Sequence, residues 1–233
     1  MNTTTLKLPG LKDYFTQEAY NVLRTNIQFS GQDVKIIAVT SCGMNEGKTV
    51  VSLHMGRSLA ELGKRVLVID ADMRKSVMAG RNATAKGAKG LSEVLTGQEK
   101  LKDCIYATQY PNFHVLFSGQ YPPNPVELLN GKYFQMTLSA VSDVYDYIII
   151  DTPPLGMVID AAVIASRCDS AILLIGNTNV RYSQAREVVE QLKKSGCTVL
   201  GAVMNNAQGK RKGYYKGYYK KNSSYGYYYS SKK

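Results

Sequence analysis

The sequence predicts an α/β fold in which helices flank a mostly parallel central sheet. Short apolar runs of strand length alternate along the chain with segments whose apolar residues recur at helical spacing. The chain has 233 residues, of which 44% are hydrophobic and 20% charged, and this balance suits one domain with a buried core. Residues 207–233 break the pattern, because they contain no leucine, isoleucine, valine, methionine or phenylalanine.

The expected elements follow in chain order. A helix is expected over 16–28, ahead of the first strand. In 48–62, Val51, Met55, Leu59 and Leu62 recur at near-helical spacing, and Gly63 is placed to end that helix. The predicted strands cover 35–40, 65–70, 113–117, 147–151, 171–176 and 198–204. The other predicted helices cover 125–144, 159–167 and 181–195, and the Ala-, Gly- and Lys-rich stretch 75–90 is expected to be a mobile surface loop.

Charge and composition divide the chain into three parts. These are an N-terminal segment (1–30) with a candidate oligomerisation helix, a folded domain (31–206) and a flexible tyrosine-rich segment (207–233). The net charge of +11 comes from 29 Lys and Arg against 18 Asp and Glu. Eight of these cations and none of the anions lie in the tyrosine-rich segment. The folded part is therefore close to neutral, and the basicity is not a property of its surface.

The sequence carries no disulfide or membrane signature. Its four cysteines show neither CxxC pairing nor metal-ligand spacing, so we expect reduced thiols. The first residues, MNTTTLKLPG, lack the apolar stretch of a signal peptide, and no apolar run approaches the ~18–20 residues of a membrane span. We therefore expect any work at a membrane to depend on another molecule.

The run VTSCGMNEGKT (39–49) follows a predicted strand and opens a predicted helix, which is the setting of a phosphate-binding P-loop. In such a turn backbone N–H groups converge on phosphate oxygens, Lys48 supplies a positive charge and Thr49 a hydroxyl for Mg²⁺. The strict motif has glycine where this chain has Cys42, which is either a small filler or a low-pKa thiol. Asn45 replaces another frequent glycine and tolerates the left-handed conformation. The run predicts a P-loop NTPase-like fold.

Acidic residues end two of the predicted strands. VLVIDADMR places Asp70 and Asp72 after one strand, and YIIIDTPP places Asp151 at the end of another. The carboxyl ends of parallel strands share one sheet edge, so these carboxylates should meet the P-loop there. Carboxylates repel phosphates unless a cation such as Mg²⁺ lies between them, and a remaining carboxylate can take a proton from a nucleophile. These residues predict phosphoryl transfer from ATP but leave open whether water or a protein hydroxyl accepts the phosphate.

Several runs carry a resemblance to a known family. SCGMNEGKT looks like a Walker A motif, VLVIDADMR like Walker A′ and IIIDTPP like Walker B, as found in the bacterial tyrosine kinases of capsular and exopolysaccharide synthesis. SGQYPPNPVELL, IDAAVIASRCDSAILLI and LGAVMNN, followed by clustered tyrosines, extend the resemblance over nearly the whole chain. The family's Pro-Gly in the P-loop is Met44-Asn45 here.

The resemblance implies an ATP- and Mg²⁺-dependent protein-tyrosine kinase on a fold unrelated to eukaryotic kinases. The implied catalytic residues are Lys48, Asp70, Asp72 and Arg74. Asp70 is the preferred base, although Asp70 and Asp72 could exchange roles. The implied metal ligands are Thr49, Asp72 and Asp151. The implied nucleotide-binding residues are Gly43, Met44, Asn45, Glu46, Gly47, Lys48, Thr49, Val50 and, near the adenine, Asn205.

The resemblance also implies what the kinase acts on and where. The expected autophosphorylation sites, modified in trans, are Tyr214, Tyr215, Tyr218, Tyr219, Tyr225, Tyr227, Tyr228 and Tyr229. Glu18 and Arg24 match a subunit-contact helix of the family, in which Asn21 replaces an arginine, so a homo-oligomer is expected. The implied partner is a membrane protein of the chain-length-determinant type that activates the kinase and holds it at the cytoplasmic face of the plasma membrane. Other tyrosine substrates are allowed, and no nucleic acid is expected.

Three other interpretations of the same residues stay open. A partitioning- or division-site-type ATPase shares the P-loop, but such proteins carry a lysine where this chain has Gly43. Lysines and tyrosines in the tyrosine-rich segment also suit binding of single-stranded nucleic acid. The same positive charge suits anionic lipid.

Overall fold

A computed structural model describes residues 2–11, 14–31, 33–85, 87–176 and 180–205. In these ranges the chain forms one eight-stranded sheet in the order β1-β4-β5-β3-β6-β2-β7-β8. Neighbouring strands are parallel except for the antiparallel pair β4 and β5. The strands are β1 (Asn2–Thr3), β2 (Ile36–Ser41), β3 (Val66–Asp70), β4 (Ile105–Ala107), β5 (Phe113–Leu116), β6 (Tyr147–Asp151), β7 (Ser170–Ile175) and β8 (Thr198–Met204). The predicted, mostly parallel α/β fold is confirmed.

Helices cover both faces of this sheet. They are α1 (Tyr14–Phe29), α2 (Lys48–Ala60), α3 (Leu91–Leu95), α4 (Leu101–Cys104), α5 (Pro125–Asn130), α6 (Lys132–Ser142), α7 (Asp160–Ala165) and α8 (Tyr182–Lys194). The six predicted strands and the predicted helices over 16–28 and 48–62 are confirmed to within a few residues. The predicted helix over 125–144 is wrong in one respect, since Gly131 adopts an extended conformation and divides it into α5 and α6. The four short elements β1, β4, α3 and α4 were not predicted.

The prediction of a surface loop over 75–90 is wrong for residues 78–82, and the mobility of the stretch stays a prediction. Residues Met78–Asn82 form a π-helical turn in which Met78 and Asn82 are buried. The N-terminal segment holds this turn from outside. Leu6 forms an isolated bridge with Ala83, and the Lys7 N–H donates a hydrogen bond to the Asn82 carbonyl at 2.6 Å. Composition alone could not show these contacts, because their partners lie some 75 residues away in sequence.

Successive residues of the central strands point to opposite faces, and both faces are buried. Val66 and Val68 pack with Leu53 of α2, whereas Leu67 and Ile69 pack with Phe134 of α6. This double burial explains why the strands are continuous apolar runs in the sequence. It also fixes which way the strand ends point, since a shift of one residue would exchange the two faces.

The described part of segment 1–30 belongs to the same core. Leu6 and Ile27 are buried in the cluster that contains Leu53 and Val68. The Gln109 side chain accepts a hydrogen bond from the Leu6 N–H and donates one to the Leu6 carbonyl, both at 2.8 Å. The segment is thereby joined to the connection between β4 and β5.

All four cysteines are free thiols, as expected. Among the described residues, no helix combines the length and apolar character needed to cross a membrane.

Replacement of Gly56 by alanine tests the close packing of α2 on the sheet. A Cβ at this position would lie 2.8 Å from Val68 Cγ2 and 2.9 Å from Phe113 Cε2, in a fully buried layer. We expect Gly56→Ala to lower the free energy of unfolding by about 1–3 kcal/mol, measured by denaturant titration. Gly10→Ala is the control, because a Cβ there meets nothing within 4 Å. Equal stability of both variants would show that the layer accommodates the methyl group.

Candidate active site

The P-loop joins β2 to α2 at the centre of the sheet. Strand β2 ends at Ser41 and helix α2 begins at Lys48. The turn between them needs two left-handed residues, which are Asn45 with φ 59° and Gly47 with φ 93°. Asparagine and glycine are the residues that adopt this conformation at least cost, so the sequence of the turn matches its geometry.

Cys42 is a structural residue of the turn. Burial, with a smaller contribution from Glu46, raises the pKa of the Cys42 thiol to about 11. The thiolate is therefore disfavoured, and of the two interpretations of Cys42 the small filler is supported. The segment after β6 packs closely on the turn, since a Cβ on Gly156 would lie 2.2 Å from the Cys42 carbonyl oxygen.

Lys48 and Thr49 lie where the P-loop meets the carboxylates. The Lys48 ammonium donates to Ser41 Oγ at 2.9 Å and to the Gly43 carbonyl at 3.4 Å. Burial lowers the pKa of Lys48, while the nearby carboxylates of Asp151, Asp72 and Glu46 act in the opposite direction. Thr49 Oγ1 donates to Asp151 Oδ2 at 2.5 Å. Both predicted Walker A side chains thus point towards the strand ends.

Three adjacent strands, β3, β6 and β2, bring the acidic residues together. Asp70 and Asp151 are direct partners in the β3–β6 register and both are buried. Burial and the neighbouring Asp151 raise the pKa of Asp70 well above its usual range. Burial raises the pKa of Asp151 to about 7, against the hydrogen bond from Thr49 and the charge of Lys48. Two such carboxylates favour a shared proton or a bound cation.

The third carboxylate, Asp72, is more open. It is half-buried, and its Oδ1 accepts a hydrogen bond from the Lys75 N–H at 3.0 Å. Ser76, which the sequence analysis did not single out, donates its hydroxyl to Asp70 Oδ2. The loop after β3 therefore folds back on its own two carboxylates and holds both in place.

All three carboxylates line one cleft of about 830 Å³. Its floor is formed by the strand ends and the P-loop, and its wall by the segment 74–82 and the loop after β6. The lining residues are Met44, Asn45, Gly47, Lys48, Thr49, Val50, Asp70, Asp72, Arg74, Lys75, Ser76, Val77, Arg81, Asn82, Asp151, Thr152, Pro153, Pro154, Met157 and Val158. All predicted catalytic residues and metal ligands are among them.

The residues present fit a divalent cation that also binds phosphate. Asp151 Oδ1 is buried and has no hydrogen-bond partner within bonding distance, and Asp151 Oδ2 lies beside the Thr49 hydroxyl, so this carboxylate has capacity for a cation. No group of three or more His, Cys, Asp or Glu among the described residues could hold a metal ion by itself. That is consistent with Mg²⁺, which takes one or two protein oxygens and completes its shell with phosphate and water.

Three predicted nucleotide-binding residues, Gly43, Glu46 and Asn205, do not line the cleft. The buried Glu46 carboxylate accepts hydrogen bonds from the Gly43 N–H at 2.5 Å and from the Gly176 N–H at 2.7 Å. Asn205 Nδ2 donates to the Glu46 carbonyl at 2.9 Å. These residues hold the P-loop from the side away from the cleft. A nucleotide contact through their side chains stays a prediction.

Arg74 lines the cleft but is held by a residue that the sequence analysis missed. Its guanidinium donates two hydrogen bonds to the buried Asp160 carboxylate, at 2.7 and 3.1 Å. Asp160 opens α7, so the pair ties the loop after β3 to the segment after β6. The sequence signal was an acidic residue at a helix start within the run VIDAAVIA.

The predicted oligomerisation residues lie on α1 and make contacts within the chain. Glu18 accepts a hydrogen bond from Asn21 at 3.1 Å, and Arg24 donates to the Ser58 carbonyl of α2 at 3.2 Å. Self-association through this helix stays a prediction. The predicted phosphorylation sites, Tyr214 to Tyr229, lie outside the described residues.

Comparisons with known proteins agree with this geometry. A family model described as "AAA domain" matches residues 34–195. The chain is 44% identical to tyrosine-protein kinase CpsD of Streptococcus agalactiae over 190 residues, covering 82% of this chain and 83% of that protein. It is 34% identical to tyrosine-protein kinase YwqD of Bacillus subtilis (strain 168) over 216 residues, covering 91% and 85%.

Solved structures give the same grouping. The kinase domain of Escherichia coli tyrosine kinase ETK superposes with a TM-score of 0.77 at 32% identity, covering 81% of this chain and 74% of that one. The septum site-determining protein MinD of Pyrococcus horikoshii OT3, complexed with Mg-ADP, superposes with a TM-score of 0.63 at 27% identity, covering 76% and 73%. The kinases and the division-site ATPases share this fold. Of these two structures, the ETK kinase domain superposes on this chain with the higher TM-score.

Replacement of Glu46 tests whether the P-loop is shaped from behind. In Glu46→Gln one carboxylate oxygen becomes an NH₂ group that faces a backbone N–H, so one of the two hydrogen bonds is lost. We expect the Kd of a fluorescent ADP analogue to rise roughly tenfold, because the loop loses its preformed shape. The control is Glu61→Gln, which alters only a surface pair with Arg57. Unchanged affinity in Glu46→Gln would contradict this role.

Proposed function

The chain belongs to the bacterial tyrosine kinases and is an ATP-using enzyme that acts on protein tyrosines, and we propose that it phosphorylates its own tyrosine-rich segment. One observation carries the proposal: Lys48, Thr49 and three carboxylates line the same cleft at the ends of adjacent strands. A site with a phosphate-binding turn and a buried carboxylate in one cleft can bind ATP and accept a proton from its nucleophile.

The proposed transfer uses the described side chains as follows. The phenol oxygen of a substrate tyrosine forms a bond to the γ-phosphorus of ATP, and the bond from that phosphorus to the bridging oxygen breaks, so that ADP leaves. The phenolic proton passes to Asp70, whose raised pKa makes its ionised form a stronger base. Lys48 places a positive charge beside the transferring phosphoryl group. Ser76 keeps Asp70 oriented through its hydrogen bond.

We also propose that Thr49, Asp72 and Asp151 hold Mg²⁺. The Thr49 hydroxyl and the carboxylates of Asp72 and Asp151 all line the cleft and are the proposed oxygen ligands. The ion, when bound, neutralises negative charge on the phosphates of ATP.

The finer parts of the function follow from the family resemblance. Modification is proposed to occur in trans, between copies of an oligomer in which Glu18 and Arg24 take part. The kinase is proposed to regulate capsular or exopolysaccharide synthesis with a membrane activator of the chain-length-determinant type, which would bring it to the cytoplasmic membrane face. A positive segment that gains phosphates changes its charge by about −1.5 to −2 for each one, so its electrostatic contacts with other copies would change as phosphorylation proceeds.

Replacement of Lys48 or Asp70 tests the site assignment. We expect Lys48→Met and Asp70→Ala to lower phosphotyrosine formation by at least about a hundredfold, because each removes a group that acts on the transferring phosphoryl or the phenolic proton. Intact mass spectrometry of the purified full chain with and without Mg-ATP measures this, and circular dichroism checks the fold. Lys89→Met is the control, since Lys89 pairs with Glu99 outside the cleft. Persistent phosphotyrosine in Lys48→Met would refute the assignment, and free phosphate without phosphotyrosine in the unaltered protein would favour the ATPase alternative.

Transfer between copies is tested with one active and one inactive partner. Protein lacking residues 210–233 should phosphorylate a full-length Lys48→Met copy, because its cleft is intact and the acceptor supplies the tyrosines. Residue mapping by mass spectrometry locates the phosphates. The same acceptor with all eight tyrosines of its tyrosine-rich segment changed to phenylalanine should stay unmodified in that segment. No transfer to the first acceptor would mean that the tyrosine-rich segment is part of the active enzyme rather than only its substrate.

A further inference from the structure

The floor of the cleft and the exposed part of its wall, here called the rim, carry opposite charges. Asp70, Asp72 and Asp151 form the floor, whereas Lys75 and Arg81 lie exposed on the wall. Among the described residues, no carboxylate forms an ion pair with Lys75 or Arg81. Arg74, the other cation of the wall, is already neutralised by Asp160. Two cations thus face the cleft with their charge uncompensated.

The backbone of the wall is held in place beneath these cations. The Lys75 N–H donates to Asp72 Oδ1 at 3.0 Å, which ties Lys75 to a residue of the floor. Arg81 lies in the π-helical turn, whose Met78 is fully buried and whose Asn82 carbonyl accepts a hydrogen bond from Lys7. Both side chains therefore start from fixed points beside the catalytic floor, unlike lysines scattered on an open surface.

Apolar side chains also line the cleft that contains the two cations. Met44 and Met157 are 47% and 56% exposed, and Val77 and Val158 add to this surface. Methionine sulfur and aromatic rings attract one another, and a phosphate dianion forms charge-assisted hydrogen bonds with arginine and lysine. A phosphotyrosine side chain combines an aromatic ring with a phosphate. It can therefore contact both the apolar and the cationic residues of this surface.

The charge of the proposed substrate decides whether this surface attracts or repels it. The tyrosine-rich segment has eight Lys and Arg and no acidic residue, and its tyrosines stand next to one another, as in Tyr214-Tyr215 and Tyr218-Tyr219. Before modification, the cationic rim repels the lysines of such a peptide. After one phosphate is added, the same rim attracts it, because a phosphotyrosine brings about −1.5 to −2 charges.

We propose that Lys75 and Arg81 bind the phosphate of a phosphotyrosine close to the acceptor tyrosine, so that each modification favours the next one nearby. This inference rests on the proposed kinase function and names the substrate class that the site prefers. A different use of the two cations, as ligands for the phosphates of ATP, predicts an effect on nucleotide affinity instead. The two uses are separated by experiment.

The experiment compares two peptides that span residues 212–221. In one, Tyr215 is phosphorylated, and in the other it carries Tyr215→Phe, so that both offer the same remaining acceptors. With saturating Mg-ATP at low salt, we expect kcat/KM for the phosphorylated peptide to be roughly three- to thirtyfold higher, and the advantage to shrink as salt is added. In the double variant Lys75→Gln/Arg81→Gln the ratio should fall towards one. Lys102→Gln/Lys132→Gln removes two exposed cations outside the cleft and should keep the ratio.

Two results would overturn the proposal while leaving the kinase function intact. One is an equal kcat/KM for both peptides in the unaltered protein. The other is an unchanged ratio in Lys75→Gln/Arg81→Gln, which, together with a raised KM for ATP, would assign the cations to the nucleotide. If the unaltered protein adds no new phosphate to either peptide or to a full-length Lys48→Met copy, the proposed function itself is overturned, and this inference with it.

Discussion

The pairing register of three adjacent strands is the constraint on which the site depends. Strands β3, β6 and β2 end side by side, and the register that places Asp70 opposite Asp151 also places Val39 of β2 beside Asp151. The P-loop leaves β2 two residues beyond this point. Because both faces of these strands are buried, a shift in register would exchange the side chains of the two layers and disrupt the packing of both, so hydrophobic packing fixes the geometry of charged groups. The packing around the two buried carboxylates offsets the electrostatic cost of burying them.

The sequence was sufficient to predict the elements that obey local rules. Buried parallel strands are apolar runs, the P-loop has a recognisable spacing, and carboxylates at strand ends must meet at one edge, so Lys48, Thr49, Asp70, Asp72 and Asp151 were correctly placed on one cleft. Contacts between distant segments could not be predicted in this way. Nothing local to Glu46 shows that its carboxylate binds the Gly176 N–H, and nothing in the stretch 75–90 shows that Leu6 will pair with Ala83.

The contacts that sequence reasoning missed have one effect in common, which is to fix the loops of the site. Asp160 holds Arg74 of the loop after β3, and Ser76 holds Asp70 of the strand before it. Glu46 and Asn205 hold the P-loop from the side away from the cleft. A phosphate-binding turn made of strained backbone needs such support, since Asn45 and Gly47 alone would leave it many conformations. The motif supplies the reactive groups, and these partners supply their positions.

The floor and the rim of the cleft carry opposite charges and therefore favour different ligands. An acidic floor admits a phosphate chain only together with cations, whereas a basic rim accepts an anionic side chain without help. Under the proposed role of Lys75 and Arg81, a lysine-rich peptide would be a poor first substrate and would become a better one with each phosphate. For the eight cations of the tyrosine-rich segment, charge neutrality is reached at about four to five phosphates. Beyond that number the segment would be an anion, and under the proposed role of Lys75 and Arg81 the rim would then retain it as product. If Lys75 and Arg81 act as proposed, the same electrostatic attraction would first accelerate and then limit phosphorylation of the segment.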